Sequence, residues 1–211
     1  MLEHVSLFSS LSQGQIDELE AIAQKRTIPK NSIVINEGDD SDCLYIVLSG
    51  RAFAMRNDES GRQLIINRFG QYDYFGEMSF FDGEIRCATV MTKERCTLMT
   101  IQRSDFQGFA VRHPQIYWNV INALLAKLRT ATQQIEELAF LDVYGRLSRF
   151  LVESQDENGV IKEKLTQQEL ADMVGASRET VCRIFNDLVD GGYITRQKKN
   201  ITILKPLPYK F

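Results

Sequence analysis

The sequence has few residues of the kinds that build metal sites, and it lacks any long hydrophobic run. Its 211 residues include two histidines and four cysteines, and no pair has the close spacing of zinc or iron–sulfur ligands. The longest uncharged apolar run, residues 44–48, is far too short to cross a bilayer. We therefore expect a cytoplasmic protein that holds no metal and does not enter a membrane.

The cysteines are widely separated along the chain. Free cysteine usually packs as a small apolar side chain, which is the simplest role for most of them. A redox role for one exposed thiol stays an alternative, although the sequence offers no electropositive neighbourhood that would favour it. The four residues are Cys43, Cys87, Cys96 and Cys182.

Charge is distributed unevenly. The formal net charge is −3, from 25 Lys and Arg against 28 Asp and Glu. Residues 1–142 hold 14 basic and 19 acidic residues, a balance of −5, whereas residues 143–211 hold 11 and 9, a balance of +2. Any contact with a polyanion is therefore expected in the C-terminal third.

The N-terminal half reads mainly as strands. Residues 12–25 predict a short amphipathic helix that begins with a capping box of Ser12 and Gln15. From residue 33 to about residue 101, short apolar segments alternate with polar turns that contain glycine, which is typical of a β-sandwich or β-roll.

A long helix with an apolar seam is predicted over residues 114–138. The seam residues are separated by steps of 4, 3, 4, 3, 4 and 3, which is a heptad pattern. Such a seam faces a partner helix along its whole length, so we expect a homodimer. Ile116, Val120 and Leu125, on the neighbouring face, could pack on the helix's own domain. The seam consists of Tyr117, Ile121, Leu124, Leu128, Ala131, Ile135 and Leu138.

The C-terminal region predicts a helix-turn-helix followed by a hairpin. Residues 166–174 and 177–190 predict two helices, the first of them opened by a capping box. The tight turn between them contains Gly175, which can adopt the left-handed conformation that ends a helix. Residues 193–204 predict a hairpin that turns through residues 198–200.

The second of these helices has two distinct faces. Apolar residues at i, i+3, i+4 and i+7 are expected to pack inward, and they are Val181, Ile184, Phe185 and Leu188. The opposite face carries Arg178, Glu179, Cys182, Arg183 and Asn186. Taken alone, this pattern also fits a solvated polar surface.

DNA is the polyanion that this outward face would suit. Arginine can donate two hydrogen bonds to guanine and glutamate can accept from cytosine, so Arg178, Glu179 and Arg183 are candidates for reading bases. Cations in the hairpin would neutralise phosphates without reading sequence. They are Arg196, Lys198 and Lys199.

Particular runs then carry a family resemblance. Gln168-Glu169-Leu170, Ser177-Arg178-Glu179-Thr180-Val181 and Leu138-Ala139-Phe140-Leu141-Asp142-Val143 resemble the CRP/FNR superfamily of prokaryotic regulators, and most of all its cyclic-AMP receptor branch. The resemblance implies an α+β fold with a cyclic-nucleotide-binding β-roll, a long dimerisation helix and a winged helix-turn-helix. It further implies RNA polymerase as a partner and a palindromic TGTGA-type site, with one half-site for each subunit. Arg178, Glu179 and Arg183 would read that half-site, and Thr180 and Cys182 would also contact the DNA. Cys182 departs from the expected glycine.

An anion cradle is predicted between the strands. Gly76 permits close backbone approach, the N–H groups of Met78 and Ser79 can open a short helix, and Arg86 supplies positive charge. Glu77 could accept from a ribose hydroxyl. The residues alone leave open a surface turn with a structural ion pair.

The same runs, Phe75-Gly76-Glu77 and Arg86-Cys87-Ala88, resemble the cyclic-nucleotide-binding family. That resemblance implies that cyclic AMP or another cyclic nucleotide binds in this pocket as the effector. It also implies that Ala131 and Thr132 of the second subunit complete the pocket. Cys87 and Ala131 replace hydroxyl residues of the family pattern. A lost hydrogen bond to a charged group costs about 1.5 to 3 kcal/mol, so a different effector or an empty pocket stays an alternative.

Three parts are expected, with bounds at 1–113 for the sensor, 114–142 for the dimerisation helix and hinge, and 143–211 for the DNA-binding domain.

Beside a regulator gated by a cyclic nucleotide and a DNA-binding regulator with another effector or an empty pocket, the third hypothesis is an enzyme. An example is a phosphodiesterase that acts through Glu77. Because both histidines lie outside the predicted pocket and no nucleophile has a recognisable setting, we expect no catalytic activity.

Overall fold

The computed structural model describes residues 1–162, 165–197 and 200–207, and of Gln197 only the backbone. Contacts divide the chain into two compact units. One consists of residues 1–56 and 66–129, and the other of residues 57–65 and 130–211. The contacts group the chain into two units rather than three parts, and they do not test the bounds predicted at residues 113 and 142. The three-part division therefore stays a prediction.

The first unit begins with short helices. Two 3₁₀ turns, Leu2–His4 and Ser6–Phe8, precede helix α1 (Gln13–Ile22). The capping box is present, since the backbone N–H of Ser12 donates to Gln15 at 2.9 Å. The helix ends three residues before the predicted position because the chain enters a strand at Gln24.

Two four-stranded antiparallel sheets form the β-roll, as predicted. Their orders are β1-β8-β3-β6 and β2-β7-β4-β5. Side chains from both sheets pack into a shared core, including Val47 and Leu98 of the first sheet and Phe69 and Val90 of the second. The strands are β1 (Gln24–Ile28), β2 (Ile33–Ile35), β3 (Cys43–Ser49), β4 (Ala52–Asn57), β5 (Gln63–Phe69), β6 (Tyr74–Phe75), β7 (Thr89–Thr92) and β8 (Cys96–Gln102).

Three helices accompany this roll. Helix α2 (Glu77–Asp82) follows β6, and helix α3 (Arg103–Arg112) follows β8. The long helix α4 (Ile116–Phe140) begins and ends two residues later than predicted. No helix in the described part of the chain is long and apolar enough to span a bilayer.

One face of α4 is buried and the seam is not. Ile116, Val120 and Ala123 are buried in the core of the first unit. Leu125, expected on that face, is instead 46% exposed. The large seam side chains are 39% to 66% exposed, and Ala131 is exposed as well.

The second unit contains the helix-turn-helix. Its buried core includes Leu147, Leu170, Val181, Phe185 and Leu188. A three-stranded sheet in the order β10-β11-β9 adjoins the helices. The elements are α5 (Val143–Ser154), β9 (Val160–Ile161), α6 (Gln167–Val174), α7 (Arg178–Asp190), β10 (Ile194–Gln197) and β11 (Asn200–Ile203).

Candidate functional site

The side chain of Arg86 is buried in the first unit and is only 2% exposed. Its Nη1 donates to the carbonyl oxygen of Gly76 at 2.6 Å. Its Nη2 donates to the hydroxyl of Ser41 at 2.8 Å and to the carbonyl oxygen of Cys43 at 2.7 Å. These neutral acceptors fix the guanidinium in one orientation.

No carboxylate in the described residues lies within ion-pair distance of Arg86, and its Nε–H has no hydrogen-bond partner there. Burial lowers the pKa of the Arg86 guanidinium, which still stays protonated as arginine does in proteins. A buried cation without a counter-ion is costly unless an anion joins it. The site is therefore suited to a negatively charged group.

Gly76 makes room for this guanidinium. Its φ of 80° lies in the left-handed region, and it caps the N-terminus of α2, the short helix that the sequence predicted here. A Cβ at this position would lie 2.5 Å from Nη1 of Arg86. Both the backbone conformation and the space therefore require glycine.

Glu77 is buried beside Gly76 and has a partner that the sequence did not indicate. Its Oε1 lies 2.9 Å from Nζ of Lys127, which is on α4. The same ammonium group lies 4.1 Å from the ring centroid of Tyr74. No sequence pattern indicates this pairing, because Lys127 is far from Glu77 in the sequence and is surrounded by ordinary helix residues.

Met78 and Cys87 complete what we call the Arg86 pocket, which consists of Gly76, Glu77, Met78, Arg86 and Cys87. Met78 is 53% exposed, and Cys87 is exposed with its Sγ 3.7 Å from the sulfur of Met78. The structure thus brings these five predicted residues together. Ala131 and Thr132 lie on the exposed surface of α4 in the second unit, and their part in the site stays a prediction.

The turn of the helix-turn-helix has the predicted chemistry. Gly175 has a φ of 64° and ends α6 in the left-handed conformation. Ser177 caps α7, with its hydroxyl accepting from the backbone N–H of Thr180 at 3.1 Å. Arg146 Nε donates to the carbonyl of Val174 at 2.9 Å, which satisfies an end of α6 that the helix leaves unpaired.

The inward face of α7 is buried at Val181, Phe185 and Leu188, and Ile184 is half-buried. The opposite face lines an open surface depression of about 470 Å³, which also includes Asp187. Its exposed members Arg178, Glu179, Arg183 and Asn186 make no side-chain hydrogen bond or ion pair within the described residues. Their polar groups are free to bind another molecule.

The other predicted DNA contacts differ in their availability. Thr180 is half-buried and its hydroxyl lies 2.9 Å from that of Ser177, so it supports the helix start. Cys182 is half-buried, and Arg196 on β10 is exposed. Lys198 and Lys199 lie outside the described residues.

The remaining thiols show no sign of a reactive centre. Cys96 is buried and Cys43 is half-buried, and burial raises the pKa of both thiols. A raised pKa disfavours the nucleophilic thiolate. In residues 1–162, 165–197 and 200–207, no cluster of His, Cys, Asp and Glu is arranged to hold a metal ion.

Comparisons with known proteins assign both units. Residues 25–113 match the cyclic nucleotide-binding domain, and residues 145–207 match the Crp-like helix-turn-helix domain. The chain is 33% identical over 182 residues to the cAMP-activated global transcriptional regulator CRP of Haemophilus influenzae, covering 83% of this chain and 81% of that one. It is 29% identical over 210 residues to the CRP-like cAMP-activated global transcriptional regulator of Mycobacterium tuberculosis, covering 96% and 94%.

A solved structure agrees with this assignment. The c-di-GMP-responsive global regulator CLP of Xanthomonas campestris has a TM-score of 0.79 and 27% identity, covering 92% of this chain and 100% of that one. The resemblance stated from the sequence motifs is therefore confirmed, and the two curated relatives are named as transcriptional regulators. This chain belongs to the CRP/FNR superfamily of DNA-binding transcription regulators.

Proposed function

We propose that this protein is a homodimeric transcription regulator whose affinity for a palindromic DNA site is controlled by a cyclic nucleotide in the Arg86 pocket. The observation that carries the proposal is the nearly complete burial of Arg86 without a carboxylate partner in the described residues. A phosphodiester would supply the missing negative charge and an acceptor for the free Nε–H. Such charge-assisted hydrogen bonds are among the strongest in proteins.

Cyclic AMP is the first candidate effector. The regulators from Haemophilus influenzae and Mycobacterium tuberculosis are named as cAMP-activated. Gly76 and Arg86 would hold the single phosphodiester, and Glu77 would exchange its contact with Lys127 for a ribose hydroxyl. Ala131 and Thr132 would approach the base from the second subunit.

A different effector is the second candidate. Cys87 and Ala131 offer no hydroxyl where the family pattern has one, which weakens the fit to cyclic AMP. The solved structure of CLP belongs to a regulator described as c-di-GMP-responsive. A phosphodiester is common to both ligands, so the buried arginine is compatible with either.

Calorimetric titration of the purified protein with cyclic AMP, cyclic GMP and cyclic di-GMP tests these candidates. Micromolar binding of cyclic AMP alone would support the first, and preference for cyclic di-GMP would support the second. If none of the three bound, the proposed role of the Arg86 pocket would be wrong.

Dimerisation through α4 is supported by its exposed seam. Six large apolar side chains with 39% to 66% exposure follow one heptad stripe. Exposed stripes of this kind are stabilised when a second helix covers them. We propose that α4 of a second copy does so, which would present two copies of α7 to adjacent major grooves.

Sequence-specific DNA binding would use the outward face of α7. Arg178, Glu179 and Arg183 have free polar groups and would read a TGTGA-type half-site, with Thr180 and Cys182 close to the DNA. Arg196, Lys198 and Lys199 would contact phosphates. We further propose RNA polymerase as a partner and the cytoplasm as location.

A further inference from the structure

Helix α2, which follows Gly76, is held by basic side chains from both neighbouring helices. Near its start, Glu77 pairs with Lys127 of α4 at 2.9 Å. Farther along, the carbonyl oxygen of Ser79 accepts a hydrogen bond of 2.6 Å from Nη2 of Arg103. Arg103 is the first residue of α3, so a single side chain joins α2 to α3.

The Arg103 guanidinium fits closely into the last turn of α2. Ser79 is only 2% exposed, and its carbonyl also accepts from the N–H of Gly83 at 3.1 Å. Nη1 of Arg103 lies 3.3 Å from the position that a Cβ would take at Gly83, whose φ is 82°. The arginine therefore satisfies a helix end that is capped by a left-handed glycine.

Arg103 is also connected to the Arg86 pocket through the backbone. Its N–H donates to the carbonyl oxygen of Asp42 at 2.9 Å. The next carbonyl, that of Cys43, accepts from Nη2 of Arg86 at 2.7 Å. Two consecutive residues, Asp42 just before β3 and Cys43 at its start, thus link the two arginines.

Aromatic packing adds a second contact between the same helices. Phe80 and Phe81 of α2 meet the ring of Phe106 of α3 edge-on, with centroid distances of 5.3 and 5.8 Å. Arg103 precedes Phe106 in α3, and its hydrogen bond to Ser79 adds a directional contact to this aromatic packing. Apolar contacts alone constrain direction less than a short charge-assisted bond does.

We propose that Arg103 is a positioning residue for effector binding. It holds the last turn of α2, which keeps Gly76 and Glu77 in place against Arg86, and it transmits a displacement of α2 to α3. Arg103 itself does not touch the effector. The proposal rests on the proposed function, because it takes the Arg86 pocket to be the effector site.

The test uses the full-length protein and three variants. Arg103→Met keeps the apolar stem and removes the donor, whereas Arg103→Lys keeps one charged donor. Arg112→Met is the matched control, because Arg112 is on the same helix but pairs with Glu18 of α1. Melting temperatures establish that each variant is folded.

The first readout is backbone amide exchange of residues 77–83 without any nucleotide. We expect exchange about tenfold faster in Arg103→Met, a smaller increase in Arg103→Lys and no change in Arg112→Met, as loss of a charge-assisted hydrogen bond implies. Unchanged exchange in Arg103→Met, or an equal increase in the control, would overturn the proposal.

The second readout is the dissociation constant for cyclic AMP, which we expect to rise about tenfold in Arg103→Met and to recover partly in Arg103→Lys. Faster exchange with an unchanged constant would also overturn the proposal. If wild type bound no cyclic AMP, the proposed effector would fail, while the exchange comparison would still decide whether Arg103 holds α2.

A measurement on wild type covers the case in which Arg103→Met does not fold. In a sample with ¹⁵N-labelled arginine, the Nε–H signal of Arg103 is identified by its absence from the lysine variant. It should shift on saturation with cyclic AMP, and that of Arg112 should not. When calorimetry on the same sample shows that cyclic AMP is bound, a shift of neither signal, or of both alike, would contradict the positioning role.

Discussion

Arg86 is a buried cation with no carboxylate at ion-pair distance in the described residues, so its replacement should weaken effector binding most. We expect Arg86→Ala to raise the dissociation constant for cyclic AMP about tenfold to a hundredfold, since a hydrogen bond to a charged group is worth about 1.5 to 3 kcal/mol. Calorimetry measures this change. Nonspecific DNA binding should persist, because it depends on the C-terminal cations.

Arg56→Ala is the control for this substitution. Arg56 is exposed and pairs with Glu37 at the surface, where ion pairs contribute little. Its loss should leave cyclic AMP binding unchanged. An equal weakening in both variants would show that general loss of positive charge, and not the Arg86 pocket, governs the affinity.

Glu18 gives a prediction about pH at the residue scale. Its carboxylate accepts from His113 Nε2 at 2.7 Å and from Arg112, and these hydrogen bonds lower the pKa of Glu18 below its ordinary value of 4.5. Because the pKa is lower in the folded state, the stabilisation is complete above the ordinary pKa and is lost as the pH falls through the lowered one.

Glu18→Gln should therefore melt at a lower temperature than wild type at neutral pH. The two melting temperatures should converge in strong acid, where the wild-type carboxylate is protonated. Thermal unfolding over a pH series measures both curves. A difference that stayed constant or grew in acid would contradict the assigned ion pairs.

At the scale of elements, α7 and the β10–β11 hairpin should make different contributions to DNA binding. Arg178→Ala should weaken binding to a TGTGA palindrome by about 1 to 3 kcal/mol and relax the base preference there. Arg196→Ala should weaken all duplexes alike and reduce the salt dependence. Anisotropy titrations with specific and scrambled duplexes separate the two, and equal losses on both duplexes for Arg178→Ala would contradict base reading.

The helix-turn-helix was predictable because its signals are local. The predicted starts of α6 and α7 fall on the capping residues Thr166 and Ser177, one residue before the observed starts. The predicted ends agree with the observed ones, and Gly175 follows the last residue of α6. Capping acts through the backbone groups of a single turn, which lie close together in the sequence.

Contacts between distant segments were less accessible to sequence reasoning. The Gly76 and Arg86 pattern indicated the pocket, but the pairing of Glu77 with Lys127 depends on how α4 packs on the roll. Leu125 was expected on the packed face and is exposed, while Ala123 is buried instead. A heptad pattern identifies the apolar seam of a helix. It does not specify which residues beside the seam pack against the helix's own domain.

At the scale of the whole molecule, the seam of α4 predicts that one substitution should separate the subunits. Ile135 is 66% exposed within one chain and lies on the stripe. Ile135→Glu would bury two carboxylates against each other in the dimer, so we expect monomers that no longer bind the palindrome tightly. Val111→Glu, at a position 78% exposed outside the seam, should leave the dimer intact. Sedimentation velocity distinguishes them, and a dimer in both would contradict the seam.

The central claim is that occupation of the Arg86 pocket controls sequence-specific binding of DNA by the dimer. Its most direct test is the affinity of wild type for a TGTGA palindrome and for a scrambled duplex, each with and without saturating nucleotide at one salt concentration. The account predicts that cyclic AMP tightens binding to the palindrome by about tenfold or more and leaves the scrambled duplex unaffected. Equal affinity for both duplexes with cyclic AMP, cyclic GMP or cyclic di-GMP present would contradict it.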